Sequence, residues 1–177
     1  MLNQGAAMQA ITFRQLTGAE FEAAYTIVRE AATWLHERDL PAWLVPPNVY
    51  RQRHMCGENY GLLIGAQLCA VVTLTRYRPE SWAEYLPETE FIWLATLASQ
   101  RKSKGQNLGR ALLAHAEAFV RQQGIHSIYL DCYYSRGRLP HYYEQAGYRW
   151  IARQDLIFED GSMHDSVLMC KTLVRSA

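Results

Sequence analysis

The spacing of hydrophobic and polar residues changes along the chain, and each spacing predicts a type of element. Residues 8–16 alternate between apolar and polar, which is typical of a half-buried strand. In residues 17–38 the apolar positions recur every three or four residues, which predicts an amphipathic helix that begins with a capping box of Thr17 and Glu20. Residues 60–75 contain two apolar runs around a glycine, which predicts a hairpin.

The most hydrophobic part of the chain is residues 91–98, where nearly every position is apolar. A run of this length predicts a strand that is covered on both faces. Helical spacing resumes at Leu108 and ends near Gly124, a residue type that commonly caps helices in the left-handed conformation. The other predicted elements are a short helix at 49–55, a long loop with one helical turn at 76–90, strands at 127–132, 148–158 and 163–173, and a turn at Asp160-Gly161. This order of strands and helices predicts a mixed α/β fold.

A basic loop, Q-R-K-S-K-G-Q-N-L-G, joins the central strand to the helix that follows. The cations in and beside this loop are Arg101, Lys102, Lys104 and Arg110. They converge on a helix N-terminus, where free N–H groups and the helix dipole favour an anion. Gly105 and Gly109 allow a ligand to approach the backbone closely, and Asn107 tolerates a positive φ. These features favour a pyrophosphate site; the alternative is a solvated basic loop that begins an ordinary helix.

This loop resembles the acetyl-coenzyme A loop of the GNAT N-acetyltransferase superfamily, whose pattern is Gln/Arg-x-x-Gly-x-Gly/Ala at a strand-to-helix turn. In K-G-Q-N-L-G, Lys104 takes the Gln/Arg position, Asn107 the first Gly and Gly109 the final Gly/Ala. A second stretch, R-L-P-H-Y-Y-E-Q-A-G-Y, is similar to the family's later motif Tyr-x-x-x-Gly-Phe/Tyr, with Tyr143 at its first position. The two motifs occur in the family's order, and the resemblance covers about residues 91–150.

The resemblance implies a single GNAT-like domain over residues 1–177, with a mixed, mostly antiparallel central sheet that has splayed central strands and is flanked by helices. It also implies acetyl-coenzyme A (acetyl-CoA) as the co-substrate, with its pantetheine arm in the gap between the splayed strands. Backbone groups of Leu97, Ala98 and Ser99 are then expected to contact this arm. The pyrophosphate is expected at Lys104, Gly105, Gln106, Asn107, Leu108, Gly109 and Arg110.

Acetyl transfer to an amine requires a group that protonates the departing thiolate and a group that removes a proton from the amine. Tyr143 is the candidate acid, because a phenol has an O–H donor and stays protonated at neutral pH. Without the resemblance, Tyr142 and Tyr143 would both be interpreted as helix packing; with it, packing is assigned to Tyr142. Glu90 is the candidate base, and Glu84 and Glu88 nearby would attract a cationic amine. The alternative is a solvated acidic loop.

Aromatic residues are concentrated in residues 34–56 and 76–93, and they include Trp34, Trp43 and Trp93. Their density predicts a flat-walled pocket for a small or hydrophobic acceptor. An equally good interpretation is that these tryptophans hold the irregular segments against the sheet.

Composition narrows the class of protein. The 177 residues suit one domain, and a formal net charge of +1 with one local basic cluster fits a small phosphorylated ligand rather than a nucleic acid. The four cysteines are widely spaced and are expected to be buried free thiols. With no signal-peptide pattern and no apolar run long enough to cross a bilayer, we expect a cytoplasmic protein with no membrane partner. The histidines have no metal-ligand spacing, so no metal is expected.

The sequence therefore predicts an acetyl-CoA-dependent acyltransferase that transfers acetyl directly to a primary amine of a small-molecule acceptor, in a ternary complex. Two alternatives stay open: a protein or peptide N-acetyltransferase, and a catalytically silent acyl-CoA-binding sensor. The sequence identifies neither the acceptor nor whether the chain forms a homodimer. Residues 1–7 are expected to be a flexible extension.

Overall fold

The computed structural model of the protein describes residues 10–103, 107–158 and 161–174. Its strands are β1 (Ile11–Gln15), β2 (Asn59–Ile64), β3 (Gln67–Thr75), β4 (Ile92–Ser99), β5 (Ser127–Tyr133), β6 (Arg149–Ile157) and β7 (Met163–Thr172). Its helices are α1 (Phe21–His36), α2 (Pro47–Met55), α3 (Leu108–Gln122) and α4 (Arg138–Glu144). Short 3₁₀ turns occur at Gly18–Glu20, Glu80–Tyr85, Arg101–Ser103 and Ser135–Gly137.

The strands form one seven-stranded sheet in the order β1-β2-β3-β4-β5-β7-β6. Neighbouring strands are antiparallel except for β4 and β5, which are parallel. The chain crosses over through α3 between these two strands, because a parallel pair cannot be joined by a tight turn. The predicted mixed, mostly antiparallel sheet is confirmed.

Helices cover the two faces of the sheet. Successive residues of β3 point to opposite faces, so Val72 packs with the cluster that contains Leu112 of α3, whereas Val71 packs with the cluster that contains Ala24 of α1. All four of these side chains are completely buried. The apolar faces predicted for α1 and α3 therefore pack in the core.

A loop covers the sheet where no helix does. Trp82, in the turn Glu80–Tyr85, is completely buried and packs with Trp93, Tyr129 and Leu168 on the face opposite α3. Burial of such a large side chain fixes the long connection between β3 and β4 against the sheet. The predicted loop with one helical turn is thus present, and its tryptophan reaches across to β5.

Two polar contacts hold the ends of elements. The Glu20 carboxylate accepts a hydrogen bond from the backbone N–H of Thr17 at 2.8 Å, as expected from the predicted capping box. At the other side of the sheet, Lys171 Nζ of β7 donates to Glu117 Oε2 of α3 at 2.5 Å and to the carbonyl of Ala146 at 2.7 Å. Lys171 therefore joins β7 to α3 and to the segment that follows α4.

Several predicted boundaries shift in the structure. The first strand starts at Ile11, and the predicted start at residue 8 lies outside the described residues, as does Asp160 of the predicted turn. Gly124 has a φ of +78°, as predicted for a helix cap. The cysteines are free, but their predicted burial is correct only for Cys69 and Cys170; Cys132 is partly buried, and Cys56 is exposed because it follows the end of α2.

Candidate active site

The main feature of the site is a gap between β4 and β5. The two strands pair only at their N-terminal ends, where residues 92–93 lie opposite residues 128–129. Beyond that point β4 stays paired with β3 up to Ser99, and β5 with β7 up to Tyr133, so the strands separate toward their C-terminal ends. In this described stretch the facing strand edges have no partner strand, which leaves their backbone groups available to a ligand. The splayed strands implied by the resemblance are present.

A β-bulge lies at the gap in β4. Val71 is opposite Ala98 and Thr73 is opposite Ala95, so β4 contains one residue more than β3 over the same length. Within the bulge, Thr96 has a φ of +51°, which is rare for a β-branched residue. Strained backbone conformations of this kind are most common at ligand sites. They direct toward the ligand N–H and C=O groups that a regular strand would pair with its neighbouring strand.

The N-terminus of α3 follows the gap. Asn107 precedes Leu108, the first residue of the helix, and has a φ of +54°. Asparagine tolerates this positive φ, as predicted. Three of the residues predicted to hold the pyrophosphate, Lys104, Gly105 and Gln106, lie outside the described residues. The described part of the loop thus ends in a 15-residue helix whose positive dipole end lies next to the gap.

Gly109, in the first turn of α3, lies close to Tyr142, and its predicted contact with the pyrophosphate stays a prediction. A Cβ added there would lie 2.7 Å from the hydroxyl of Tyr142 in α4, so the glycine makes room for that side chain. The Arg110 guanidinium lies 5.1 Å from the centre of the Tyr142 ring and donates to Gln145 Oε1 at 2.9 Å. Tyr142 therefore packs as predicted, and it joins α4 to the start of α3.

Tyr143 points into the buried region between α4 and β5. The residue is 9% exposed, and its ring contacts Tyr142 and Tyr148. Burial raises the pKa of its hydroxyl well above the ordinary value, and nearby Cys132, Tyr142 and Asp131 raise it further. The phenol is therefore protonated throughout the physiological range and is able to donate.

Asp131 is the carboxylate of the gap. It lies near the C-terminal end of β5 and accepts a hydrogen bond from Trp82 Nε1 at 3.0 Å. Burial raises the pKa of Asp131, while the Trp82 bond and a backbone N–H act in the opposite direction; no cation of the described chain is among these influences. The titratable groups next to it, Cys132 and Tyr143, have raised pKa values and are neutral. A partly buried carboxylate in a cleft, with a raised pKa and no cation among the described groups that act on it, is a candidate functional group.

Asp131 and Tyr143 reach the gap from opposite faces of the sheet. Side chains alternate along β5, so Asp131 shares its face with Tyr129, which packs with Trp82, whereas Leu130 packs with Tyr143 on the α3 face. A proton acceptor and a proton donor thus lie on the two sides of one cleft. The sequence analysis missed Asp131, although a single charged residue in the apolar run S-I-Y-L-D-C-Y was the signal that could have found it.

Glu90 lies at the other end of β4. Its exposed carboxylate forms an ion pair with Arg76 before the strand begins, close to where β4 and β5 are still paired. Its predicted role as the base stays a prediction, and both its exposure and its pairing with a cation favour Asp131 for that role.

The three tryptophans of the predicted pocket have different surroundings. Trp93 is 4% exposed in the core, which leaves little of its surface open to an acceptor, and its predicted contact stays a prediction. Trp34 lies beside a groove of about 340 Å³ with Arg38 and Arg101 at 4.2 and 4.0 Å from its ring. Trp43 is half exposed and contacts Phe158, at the end of β6. Of the three, Trp43 is therefore the candidate that we retain for the acceptor.

Comparison with known proteins identifies the same architecture. The model of the "Acetyltransferase (GNAT) family" matches residues 21–148. Among solved structures, the ribosomal-protein-S18-alanine N-acetyltransferase from Escherichia coli is similar with a TM-score of 0.69 and 19% identity, over 95% of this chain and 97% of that chain. Ard1 from Thermoplasma volcanium gives 0.71 and 14%, over 94% and 99%. The yncA structure from Salmonella typhimurium, determined with its cofactor acetyl-CoA, gives 0.66 and 17%, over 95% and 96%.

No curated protein matches the chain significantly by sequence. Within residues 10–103, 107–158 and 161–174, no helix is both long and apolar enough to cross a membrane. The same residues contain no group of side chains arranged to hold a metal ion.

Proposed function

Because the chain belongs to the GNAT acetyltransferase family, we propose that it transfers acetyl from acetyl-CoA directly to a primary amine of a small-molecule acceptor. The observation that carries this proposal is the gap between β4 and β5, with Asp131 and Tyr143 on its two faces. The yncA structure, which contains acetyl-CoA in a similar fold, supports the choice of donor. Acetyl-CoA, when bound, supplies the acetyl group as a thioester.

The residues around the gap suit such a donor. Backbone groups of β4 beyond the bulge, at Leu97, Ala98 and Ser99, would hold the pantetheine arm, because this edge of β4 has no strand partner among the described residues. The start of α3, from Asn107 to Arg110, would hold the pyrophosphate, since a helix N-terminus attracts anions. Lys104, Gly105 and Gln106 are proposed to complete that contact.

Asp131 is the proposed base. An amine reacts only when neutral, so its proton must pass to a nearby acceptor before or as it attacks the thioester. Asp131 provides a carboxylate oxygen on the face where Trp82 lies, and it also attracts the ammonium form of the amine. Burial raises the pKa of this carboxyl toward the range where a general base is effective. A silent acyl-CoA sensor would need no such group, which is why we favour the enzyme.

Tyr143 is the proposed acid. As the new C–N bond forms and the C–S bond breaks, its hydroxyl proton passes to the sulfur, and the raised pKa keeps that proton available until then. Replacing Tyr143 by Phe removes the donor and keeps the ring, so the packing with Tyr142 and Tyr148 survives.

A thiol-release assay with acetyl-CoA and a panel of amines and peptide N-termini tests the proposal. We expect turnover with a small amine, a fall in kcat of about a hundredfold in Tyr143→Phe, and an unchanged Kd for coenzyme A by calorimetry. Tyr60→Phe, a half-buried tyrosine of β2 that packs on Phe13, is the matched control and should keep wild-type kcat. Wild-type kcat in Tyr143→Phe would refute its role, and turnover with peptides alone would identify a protein acetyltransferase.

A further inference from the structure

Four aromatic rings meet outside the three hydrophobic clusters of the core. These rings, called the aromatic cluster below, belong to Trp43, Tyr133, Phe158 and His164. Phe158 lies 6.2 Å from Trp43, 6.4 Å from Tyr133 and 5.0 Å from His164, measured between ring centres. Three separate segments thus bring aromatic side chains together: the connection before α2, the end of β5, and the β6–β7 hairpin, where Phe158 follows β6 and His164 lies in β7.

The aromatic cluster lies beside the proposed base. Tyr133 follows Asp131 by two residues in β5, so both side chains leave the same face of the sheet about 7 Å apart along the strand. His164 in β7 lies on this face too, because it alternates with Leu168, which packs under Trp82. The cluster is therefore at the open end of the gap, on the side where Asp131 is presented.

The cluster also leaves apolar surface in contact with solvent. Trp43 is 48% exposed, and its neighbour Leu44 is 36% exposed. Apolar groups concentrated in this way next to a polar reactive centre are typical of a binding site.

We propose that the aromatic cluster binds the ring of the acceptor, and that the acceptor is a primary amine joined to an aromatic ring by a short aliphatic linker. This inference rests on the proposed function, since it assigns the acceptor of the same reaction. The amine nitrogen lies at Asp131, and the ring stacks on Trp43 and Phe158. The short distance along β5 between Asp131 and Tyr133 sets the length of the linker.

The aromatic cluster favours this acceptor over a diamine. The second ammonium of a diamine would need an anionic partner, and the cluster contributes rings instead of carboxylates. His164 Nε2 already hydrogen-bonds Ser162 Oγ at 3.0 Å, which orients the imidazole against the Tyr133 and Phe158 rings. Rings also attract cations, so a diamine is the competing ligand that the experiment must include.

The test compares 2-phenylethylamine, 2-cyclohexylethylamine, butylamine and 1,4-diaminobutane in the thiol-release assay. We expect kcat/KM for phenylethylamine to be about tenfold or more above the value for butylamine. It should also be about threefold above the value for the cyclohexyl analogue. Trp43→Ala should lower the value for phenylethylamine by about tenfold and the value for butylamine by much less. Trp150→Ala, which removes a 40% exposed tryptophan from β6, is the matched control and should change neither.

The outcomes separate the inference from the proposed function. Turnover in which butylamine or diaminobutane equals or exceeds phenylethylamine overturns the inference and leaves the function standing. If no amine releases thiol, calorimetry of phenylethylamine with the coenzyme A-saturated protein decides. Binding that is lost in Trp43→Ala supports the aromatic subsite although the proposed function fails, and absence of binding overturns the subsite as well.

Discussion

The fold shifts the pKa values of the Glu20 and Asp131 carboxyls in opposite directions. Glu20, at the start of α1, accepts two hydrogen bonds from Arg14, at 2.8 and 2.9 Å, and one from the N–H of Thr17. These bonds lower the pKa of Glu20 to about 2, with Arg14 as the largest cause. Asp131 accepts from Trp82, has no cationic partner among the described residues, and has a pKa that burial raises.

The difference separates a carboxylate that stabilises the protein from one that is available for chemistry. Glu20 is satisfied by the groups around it, so it has little tendency to take up a proton. Asp131 is held in place by Trp82 and has no cationic partner among the described residues, so burial makes its charged form less stable than in water and raises its pKa. Charged and polar groups that lack their usual partners are found most often at functional sites, where the cost in stability is tolerated.

The largest expected effect is on turnover in Asp131→Asn. The amide keeps an acceptor for the Trp82 N–H but cannot take a proton from the amine, so we expect kcat/KM to fall by about a hundredfold to a thousandfold at neutral pH. In the wild type, kcat/KM should decrease as the pH falls through the raised pKa of Asp131, and this limb should be absent in the variant. Initial rates across the pH range measure both effects.

Two variants make this result specific. Asp155→Asn changes an exposed aspartate of β6 in the same way and should keep the wild-type profile. Glu90→Gln tests the base that the sequence suggested, and the ion pair with Arg76 predicts a small effect on turnover. If Glu90→Gln abolished the acid limb and Asp131→Asn kept it, the roles of these two carboxylates would be reversed.

The sequence predicts most of the fold but only part of the site. Periodicity locates α1, α3 and the hairpins because each of these elements buries a regular stripe in the core. The gap depends on the resemblance, since no local pattern states that β4 and β5 separate after two residue pairs. Asp131 and Trp82 are 49 residues apart in the chain, so their bond follows only from the tertiary fold. The meeting of Trp43 with Phe158 is equally non-local.

The next effect is on stability in Glu20→Gln. The neutral amide loses the charged contact with Arg14 and part of the capping interaction, so we expect the free energy of unfolding at pH 7 to fall by about 1 kcal/mol. Arg14 is 40% exposed, so solvent screens the pair and keeps the loss modest. Urea denaturation measures the difference. Glu22→Gln, at a highly exposed carboxylate two residues further on, should change little.

The pH dependence of that loss follows from the sign of the pKa shift. The pKa of Glu20 in the folded protein, about 2, is below its ordinary value of 4.5, so its stabilising effect is complete above pH 4.5 and disappears as the pH falls toward 2. The wild type and Glu20→Gln should therefore converge in stability in strong acid. A constant difference across this range would mean that packing, and not charge, is responsible.

The smallest expected effect has the opposite sign and concerns stability in Asp131→Asn. Because the folded protein raises the pKa of Asp131 above the ordinary value of 3.8, it binds more protons here than the unfolded chain between the two pKa values, and wild-type stability falls as the pH rises through that range. Asn carries no charge, so the variant avoids this cost while its amide oxygen still accepts from Trp82. We expect a gain of about 0.5 kcal/mol or more at pH 7 and none below pH 3.8, measured by urea denaturation at both pH values. A variant that is inactive yet more stable would mean that the fold gives up stability at Asp131 to keep an acceptor for the proton, whereas a loss of stability at pH 7 would make Asp131 a structural residue like Glu20.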